Sequence, residues 1–215
     1  MKPVTDSRID YKKLVHDGYN ACAEAFAAAR EGGSPALDLL LSRLSRGAEV
    51  LDLGCGCGVP VARALAAHHR VTGVDFSSEQ IRRARENVPS ASFIEADIAS
   101  LHFEPSSLNA VVAFYVIFHL PRAEQIELLR SIWRWLKPGG YSLGTLSRWT
   151  EEPYTEDFFG VPMFWTNFGL EEYLQYLQQI GYQVLETSML GHGYGTHQLA
   201  ETHPLVFASK PNDDG

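Results

Sequence analysis

Nine residues constrain this chain more than any others: Val50-Leu51-Asp52-Leu53-Gly54-Cys55-Gly56-Cys57-Gly58. A short apolar run reads as a buried strand. It breaks into alternating glycines ahead of a helix predicted over Pro60 to Ala67. Glycine is needed where a backbone turns sharply or lets a ligand come within contact distance. The helix that follows points its amide dipole at whatever lies above the turn. A tight turn with no ligand is the competing explanation. A dinucleotide fingerprint wants Gly-x-Gly-x-x-Gly. Here the glycines stand at 54, 56 and 58, and Val59 occupies the place of the third, which favours Gly-x-Gly-x-Gly.

The rest of the chain alternates in the way such a turn requires. Val71 to Asp75, Ser92 to Ala96, Ala110 to Tyr115 and Tyr141 to Leu146 read as further strands. Between them lie a helix capped by Ser77 and running through Asn87, with Gln80 at the capping-box offset, and an amphipathic helix from Ala123 to Leu136. Strand and helix recurring every ~20–30 residues are the signature of βαβ units and a parallel sheet. Two more helices precede the core. Asp10 to Arg30 carries Tyr11, Leu14, Val15, Gly18 and Cys22 near one face. Glu31-Gly32-Gly33-Ser34-Pro35 stops it, and Leu37, Leu40, Leu41 and Leu44 stripe the next. Trp149 to Phe168 breaks the rhythm with aromatics and proline. A helix at Leu170 to Ile180 and strands at Tyr182 to Leu190 and Leu205 to Ser209 follow.

The acids fall where ligands belong in such a sheet, at the carboxyl ends of strands. Asp75 ends the second strand, and a carboxylate there can accept from both hydroxyls of a ribose. Asp97 follows the third strand and can accept from an exocyclic adenine amine, with the Ile98 N–H beside it. Phe76 can lie against an adenine face. Any one of these acids alone reads as a solvated loop carboxylate. Two in succession after a glycine turn point to a bound nucleoside.

Composition narrows the partners. The formal net charge of −8 disfavours a broad nucleic-acid footprint, and the basic run Arg82, Arg83, Arg85 reads as a solvated helix face. Met1 to Lys13 is polar and lacks the apolar core of a signal peptide, and no run is long enough to span a bilayer. Cys22, Cys55 and Cys57 are too few and too odd for a disulfide framework, and they suit a cytoplasmic protein. Cys55-x-Cys57 lacks a second pair at zinc spacing, so no metal is expected.

These residues together resemble the class I S-adenosylmethionine (SAM)-dependent methyltransferases. Val50 to Gly58 looks like the family's motif I, Gly73-Val74-Asp75-Phe76-Ser77 like motif II and Ala96-Asp97-Ile98 like motif III. Ala110 to Pro121 resembles motif IV, and Leu136-Lys137-Pro138-Gly139-Gly140 matches the segment before the fifth strand. The resemblance is strong from Ala48 to about Leu146. It implies an α/β, Rossmann-like fold: seven mostly parallel strands, helices on both faces, and the last strand antiparallel and inserted beside the sixth. One domain over 1–215 is expected, with a helical cap at about 8–45, a SAM-binding core at about 46–147, a lid at about 148–169 and a C-terminal helix and strands at about 170–210.

The resemblance also assigns roles. Gly54 and Gly56 would hold the methionine part of SAM, Asp75 the ribose, and Asp97 with Ile98 the adenine. Asp52 would brace the turn, Phe114 would touch the cofactor, and Tyr19 would sit where an N-terminal helix closes over it. An Asn-Pro-Pro-Tyr-type motif is absent; Phe114 to His119 stands in its place, which favours a small-molecule acceptor. The acceptor atom (O, N, S or C) and a monomeric or homodimeric state stay open.

Holding a nucleophile in line with a bound methyl group requires positioning more than acid–base chemistry. If a base is used, His119 is the candidate; a hydrogen-bonded structural histidine is the other reading. Tyr115, Trp149, Met163 and Trp165 are the expected substrate contacts, the last three from the aromatic lid. His192, with Gly193 to Gly195, could line the pocket mouth, and His197 and His203 are loosely spaced around the last strands. Two alternatives remain: a nicotinamide oxidoreductase, which the lack of a Tyr-x-x-x-Lys pair disfavours, and a SAM-binding protein that transfers no methyl group.

Overall fold

The computed structural model describes residues 2–3, 10–29, 36–192 and 201–212. In chain order these form β1 (Lys2–Pro3), α1 (Tyr11–Ala29), α2 (Ala36–Leu41), β2 (Glu49–Leu53), α3 (Val61–Ala66), β3 (Arg70–Asp75), α4 (Ser78–Asn87), β4 (Ser92–Glu95), β5 (Leu108–Ala113), α5 (Arg122–Trp135), β6 (Leu136–Thr145), β7 (Glu151–Phe158), β8 (Val161–Asn167), α6 (Leu170–Ile180), β9 (Gln183–His192) and β10 (Glu201–Ser209). Single 3-10 turns cover Ile98–Ser100 and Ile117–His119. Residues 193–195, expected near the pocket mouth, and His197 lie outside the described residues, as does the predicted break at 31–35.

Seven strands make one sheet in the order β4-β3-β2-β5-β6-β10-β9. β2 pairs in parallel with β3 and β5, and β5 with β6. β10 runs antiparallel between β6 and β9, the inserted last strand that the resemblance implied. The period-2 alternation of side chains splits the core into two faces. Val50, Ala110, Val112, Leu205 and Phe207 pack with α2, α3 and α4 on one side. Leu51, Val111, Ala113, Val206 and Ala208 pack with α5 and α6 on the other. The arginine run on α4 is ion-paired at the surface, Arg82 to Glu79 and Glu86, and Arg83 to Glu79.

Two differences from the sequence-derived elements bear on the site. β6 starts at Leu136 rather than at Tyr141, because the Lys-Pro-Gly-Gly stretch runs extended beside the end of β10: Lys210 N–H donates to the Gly140 carbonyl and Gly139 N–H to that of Lys210. The aromatic segment is the second difference. It is no irregular loop but a hairpin, β7 and β8, with β1 on its outer edge as a separate three-stranded antiparallel sheet.

Helix α1 lies against that hairpin. The ring of Tyr11 stacks on Phe164 with centroids 4.2 Å apart, and Val15 packs with Met163 and Phe164. The approach is close at Gly18, where a Cβ would stand 2.9 Å from Cε of Met163. The hairpin is in turn fastened to the sheet by one buried amide. Gln125 Nε2 donates to the Leu120 carbonyl at 2.7 Å and to the Thr166 carbonyl at 2.8 Å. Its Oε1 accepts from the Tyr173 hydroxyl at 2.5 Å. Gln125 thus joins the turn after β5, the hairpin and α6. A Gln125→Leu substitution strands two carbonyls and a phenol in the core. We expect it to lower stability to urea by about 3 kcal/mol, from the ~1–3 kcal/mol that each unpaired buried group costs. Adding Tyr173→Phe should recover part of that loss. A midpoint within error of the parent would refute the clamp.

Candidate active site

The strand ends converge on a cavity of about 690 Å³, counted with its mouth. Its floor begins at the glycine turn. Gly54 has φ +66° and Gly56 φ +52°, conformations that a side chain disfavours. A Cβ on Gly54 would also stand 2.5 Å from Cγ2 of Val116. Gly54 and Cys55 both donate their N–H to the Val74 carbonyl, at 2.8 and 3.0 Å, which binds the turn to the neighbouring strand.

Asp75 holds this turn from the side. Its Oδ2 accepts the Gly56 N–H at 3.0 Å and its Oδ1 accepts the Ser77 N–H at 2.9 Å. The two bonds fix the plane of a carboxylate that faces the cavity, and each oxygen can accept more than one bond. Ser77 caps α4 as expected, its Oγ accepting the Gln80 N–H at 3.2 Å. The reciprocal half of the expected capping box is not made. The amide side chain of Gln80 is buried, lines the cavity, and has no hydrogen-bond partner on either atom among the described residues. A buried amide seldom stays unsatisfied without a ligand or water to meet it.

Helix α1 roofs the cavity with one face. Lys12, Val15, Tyr19 and Phe26 all line it. Lys12 Nζ reaches Asp97 Oδ2 at 2.7 Å and Glu124 Oε2 at 2.6 Å, while Asp97 Oδ1 caps the following turn by accepting the Ala99 N–H at 2.9 Å. Asn20 fastens the helix further along. Its Oδ1 accepts the Ser77 hydroxyl at 2.7 Å and the Glu79 N–H at 3.3 Å. Phe76 stands edge-on to His16, with centroids 5.6 Å apart.

The opposite wall comes from the end of β5. Phe114, Tyr115 and Val116 line the cavity, with His119 and Leu120 after them. Tyr115 turns the chain there with φ +57°, and its N–H donates to Thr145 Oγ1 at 2.6 Å. His119 is buried. Its Nδ1 lies 2.8 Å from the Phe164 carbonyl and its Nε2 2.9 Å from the Tyr19 hydroxyl. A carbonyl only accepts, so Nδ1 carries the proton, and Nε2 takes the hydrogen bond from Tyr19. Burial pulls the His119 pKa down to about 4, against a smaller opposing pull from the Phe164 carbonyl.

The expected residues therefore fall into two groups. Tyr19, Gly54, Gly56, Asp75, Phe76, Asp97, Ile98, Phe114, Tyr115 and His119 border one cavity. Asp52 is buried within β2 and does not line it. Three residues of the expected lid do not line it either. Trp149 is 64% exposed, with the Arg148 guanidinium 4.8 Å above its ring, and stands away from the cavity. Met163 is spent on α1, and Trp165 sits one layer out, its ring 5.7 Å from that of His119. The hairpin alternates its side chains and needs its inner row for packing, so the lid backs the site rather than lining it. Lys12, Gln80 and Phe26 are lining residues that sequence reasoning passed over. Lys12, Val15, Tyr19 and Phe26 recur at three- and four-residue spacing, so a second stripe on α1 was there to be read.

Comparison with known proteins agrees with this geometry. A family model described as a methyltransferase domain matches residues 50–140. A Mycolicibacterium smegmatis protein named "probable S-adenosylmethionine-dependent methyltransferase" is 27% identical over 76% of this chain and 63% of its own length. Methyltransferase GfsG of Streptomyces halstedii is 33% identical over 59% of this chain and 48% of its own. The chain spans less than two thirds of the length of these relatives. Among solved structures, a Burkholderia thailandensis 1,6-didemethyltoxoflavin-N1-methyltransferase with bound S-adenosylhomocysteine superposes with a TM-score of 0.67. It is 20% identical and covers 98% of this chain and 94% of its own. Residues 50–140 thus resemble a methyltransferase domain, and the chain shares the fold of that solved methyltransferase.

Proposed function

We propose that this chain transfers a methyl group from SAM to a small-molecule acceptor. The observation that carries the reading is one cavity with two unlike walls: a glycine turn locked to an oriented carboxylate on one side, and an aromatic wall with a single histidine–tyrosine pair on the other. The residues suit the cofactor. Gly54 and Gly56 leave room beside the turn, Asp75 presents acceptors for a ribose diol, and the unsatisfied Gln80 amide offers a donor and an acceptor within the same wall. Asp97 and Ile98 would meet the adenine, with Phe76 against its face, and Phe114 would close the wall. When bound, SAM supplies an electrophilic methyl on a sulfonium.

The chain's own contribution is positional. α1 roofs the cavity through Lys12 and Asn20, which excludes water and fixes the acceptor's approach. His119 is neutral near pH 7 and carries its proton on the nitrogen turned to Phe164, so its role is to orient Tyr19. No described helix is long and apolar enough to cross a membrane. A cytoplasmic enzyme acting on small molecules rather than on nucleic acid fits the acidic charge.

Calorimetric titration with SAM, S-adenosylhomocysteine and NAD tests the reading. We expect the two SAM-type ligands to bind and NAD to fail. Asp75→Asn should weaken them by about 10–100-fold, the worth of one or two charge-assisted hydrogen bonds. A folded protein that ignores both would overturn the assignment.

His119 yields a second expectation. Its folded pKa, about 4, lies below the ordinary ~6.5 of the unfolded chain. The unfolded state therefore takes up a proton that the folded state refuses as pH falls between those values. Stability is full above about pH 6.5 and declines toward pH 4. The loss between pH 7.5 and 5 should be about 2 kcal/mol from this group. In His119→Gln, urea midpoints at the two pH values should differ by that much less. An unchanged difference would show that His119 titrates normally.

A further inference from the structure

We propose that the acceptor is a non-anionic, largely apolar molecule that presents a hydroxyl or N–H donor to Tyr19; this deepens the methyl-transfer reading and rests on it. The argument begins at the Phe164 carbonyl. Because it can only accept, His119 keeps its proton on Nδ1, and Nε2 is a lone pair. The Tyr19 proton is then committed to Nε2 at 2.9 Å. Toward the cavity that Tyr19 lines, its oxygen acts only as an acceptor. A ligand group meeting it must donate. An ether, ketone or ionised carboxylate in that place would set two acceptors against each other.

Charge points the same way. Among the described residues that line the cavity, the one lysine or arginine is Lys12, and its ammonium is already held by Asp97 and Glu124. Among the described residues that line the cavity, an anionic acceptor would find no uncommitted cation to replace its hydration. Around Tyr19 the surroundings are aromatic. Phe26 stands edge-on to it at 5.4 Å, and Phe158 stands at 5.9 Å from it and 5.7 Å from Phe26. Val116 and Leu120 complete an apolar surface beside His119. One polar contact in an apolar pocket sets orientation more than strength. The donor is fixed at Tyr19, and the rest of the molecule is fitted by shape.

Three probes that share one ring system test this: 2-naphthol, 2-methoxynaphthalene and 2-naphthoate. Each is titrated into the whole protein saturated with S-adenosylhomocysteine. We expect 2-naphthol to bind about 3–10-fold tighter than its methyl ether, the worth of one neutral hydrogen bond. The carboxylate should bind more than about 10-fold weaker than the naphthol. In Tyr19→Phe the preference of naphthol over ether should vanish. A long-range nitrogen–proton NMR spectrum of the parent protein supplies a measurement free of variants, and should show His119 as the Nδ1–H tautomer. Naphthol that does not bind, equal binding of the ether, tighter binding of the carboxylate, a preference that survives Tyr19→Phe, or an Nε2–H tautomer would each overturn the proposal. Failure to bind S-adenosylhomocysteine at all would instead strike the methyl-transfer reading.

Discussion

The site depends first on one carboxylate. Asp75 ends β3 and spends one lone pair on Gly56 and one on Ser77. It thereby fixes the glycine turn after β2 against the start of α4, two segments that the chain separates by a helix and a strand. The hydrogen bonds run onward. Ser77 caps α4 through the Gln80 N–H and passes its hydroxyl proton to Asn20, which anchors α1. A charged acceptor makes each backbone bond about twice as strong as a neutral one would be. The floor of the cavity and its roof therefore share one origin.

The glycine-turn half of the cavity was legible because it is local. Strand, glycines and acid lie within short stretches, and the chemistry demands those residue types at those places. Gly54 needs its left-handed backbone and has Val116 pressed against the space a Cβ would fill. Asp75 needs its charge. The parallel sheet followed from the alternation of elements, and the inserted antiparallel strand from the family resemblance.

The aromatic half was harder to read because it is built from long-range contacts. Tyr19 meets His119 across 100 residues of chain, and His119 meets Phe164 across 45. The aromatic segment 149–168 looked like a loop rich in ligand contacts. Its residues pair as a hairpin, and that pairing turns Met163 toward α1 and leaves Trp149 outside. Periodicity alone does not say which partner an aromatic row will meet. Lys12 shows the same limit. On a helical wheel it is a lysine near an apolar stripe, and only the fold brings Asp97 and Glu124 to it.

This division has a consequence for how specificity is set. The sheet supplies Gly56 and Asp75, whose mutual bond needs no residue of the cap. Tyr19 belongs to α1, and the carbonyl that fixes the His119 tautomer belongs to the hairpin. His119 itself stands on the sheet, at the turn after β5, and takes one bond from each cap element. Its polarity toward the cavity is thus decided by pieces that the cofactor end does not require. Withdrawing either piece would change what the site asks of an acceptor: without the Phe164 carbonyl the imidazole could turn its proton to Nε2, and Tyr19 would then be free to donate. A change in the hairpin register, one layer away from any ligand, would reverse the hydrogen-bonding sense of the pocket while leaving the glycine turn and its carboxylate as they are.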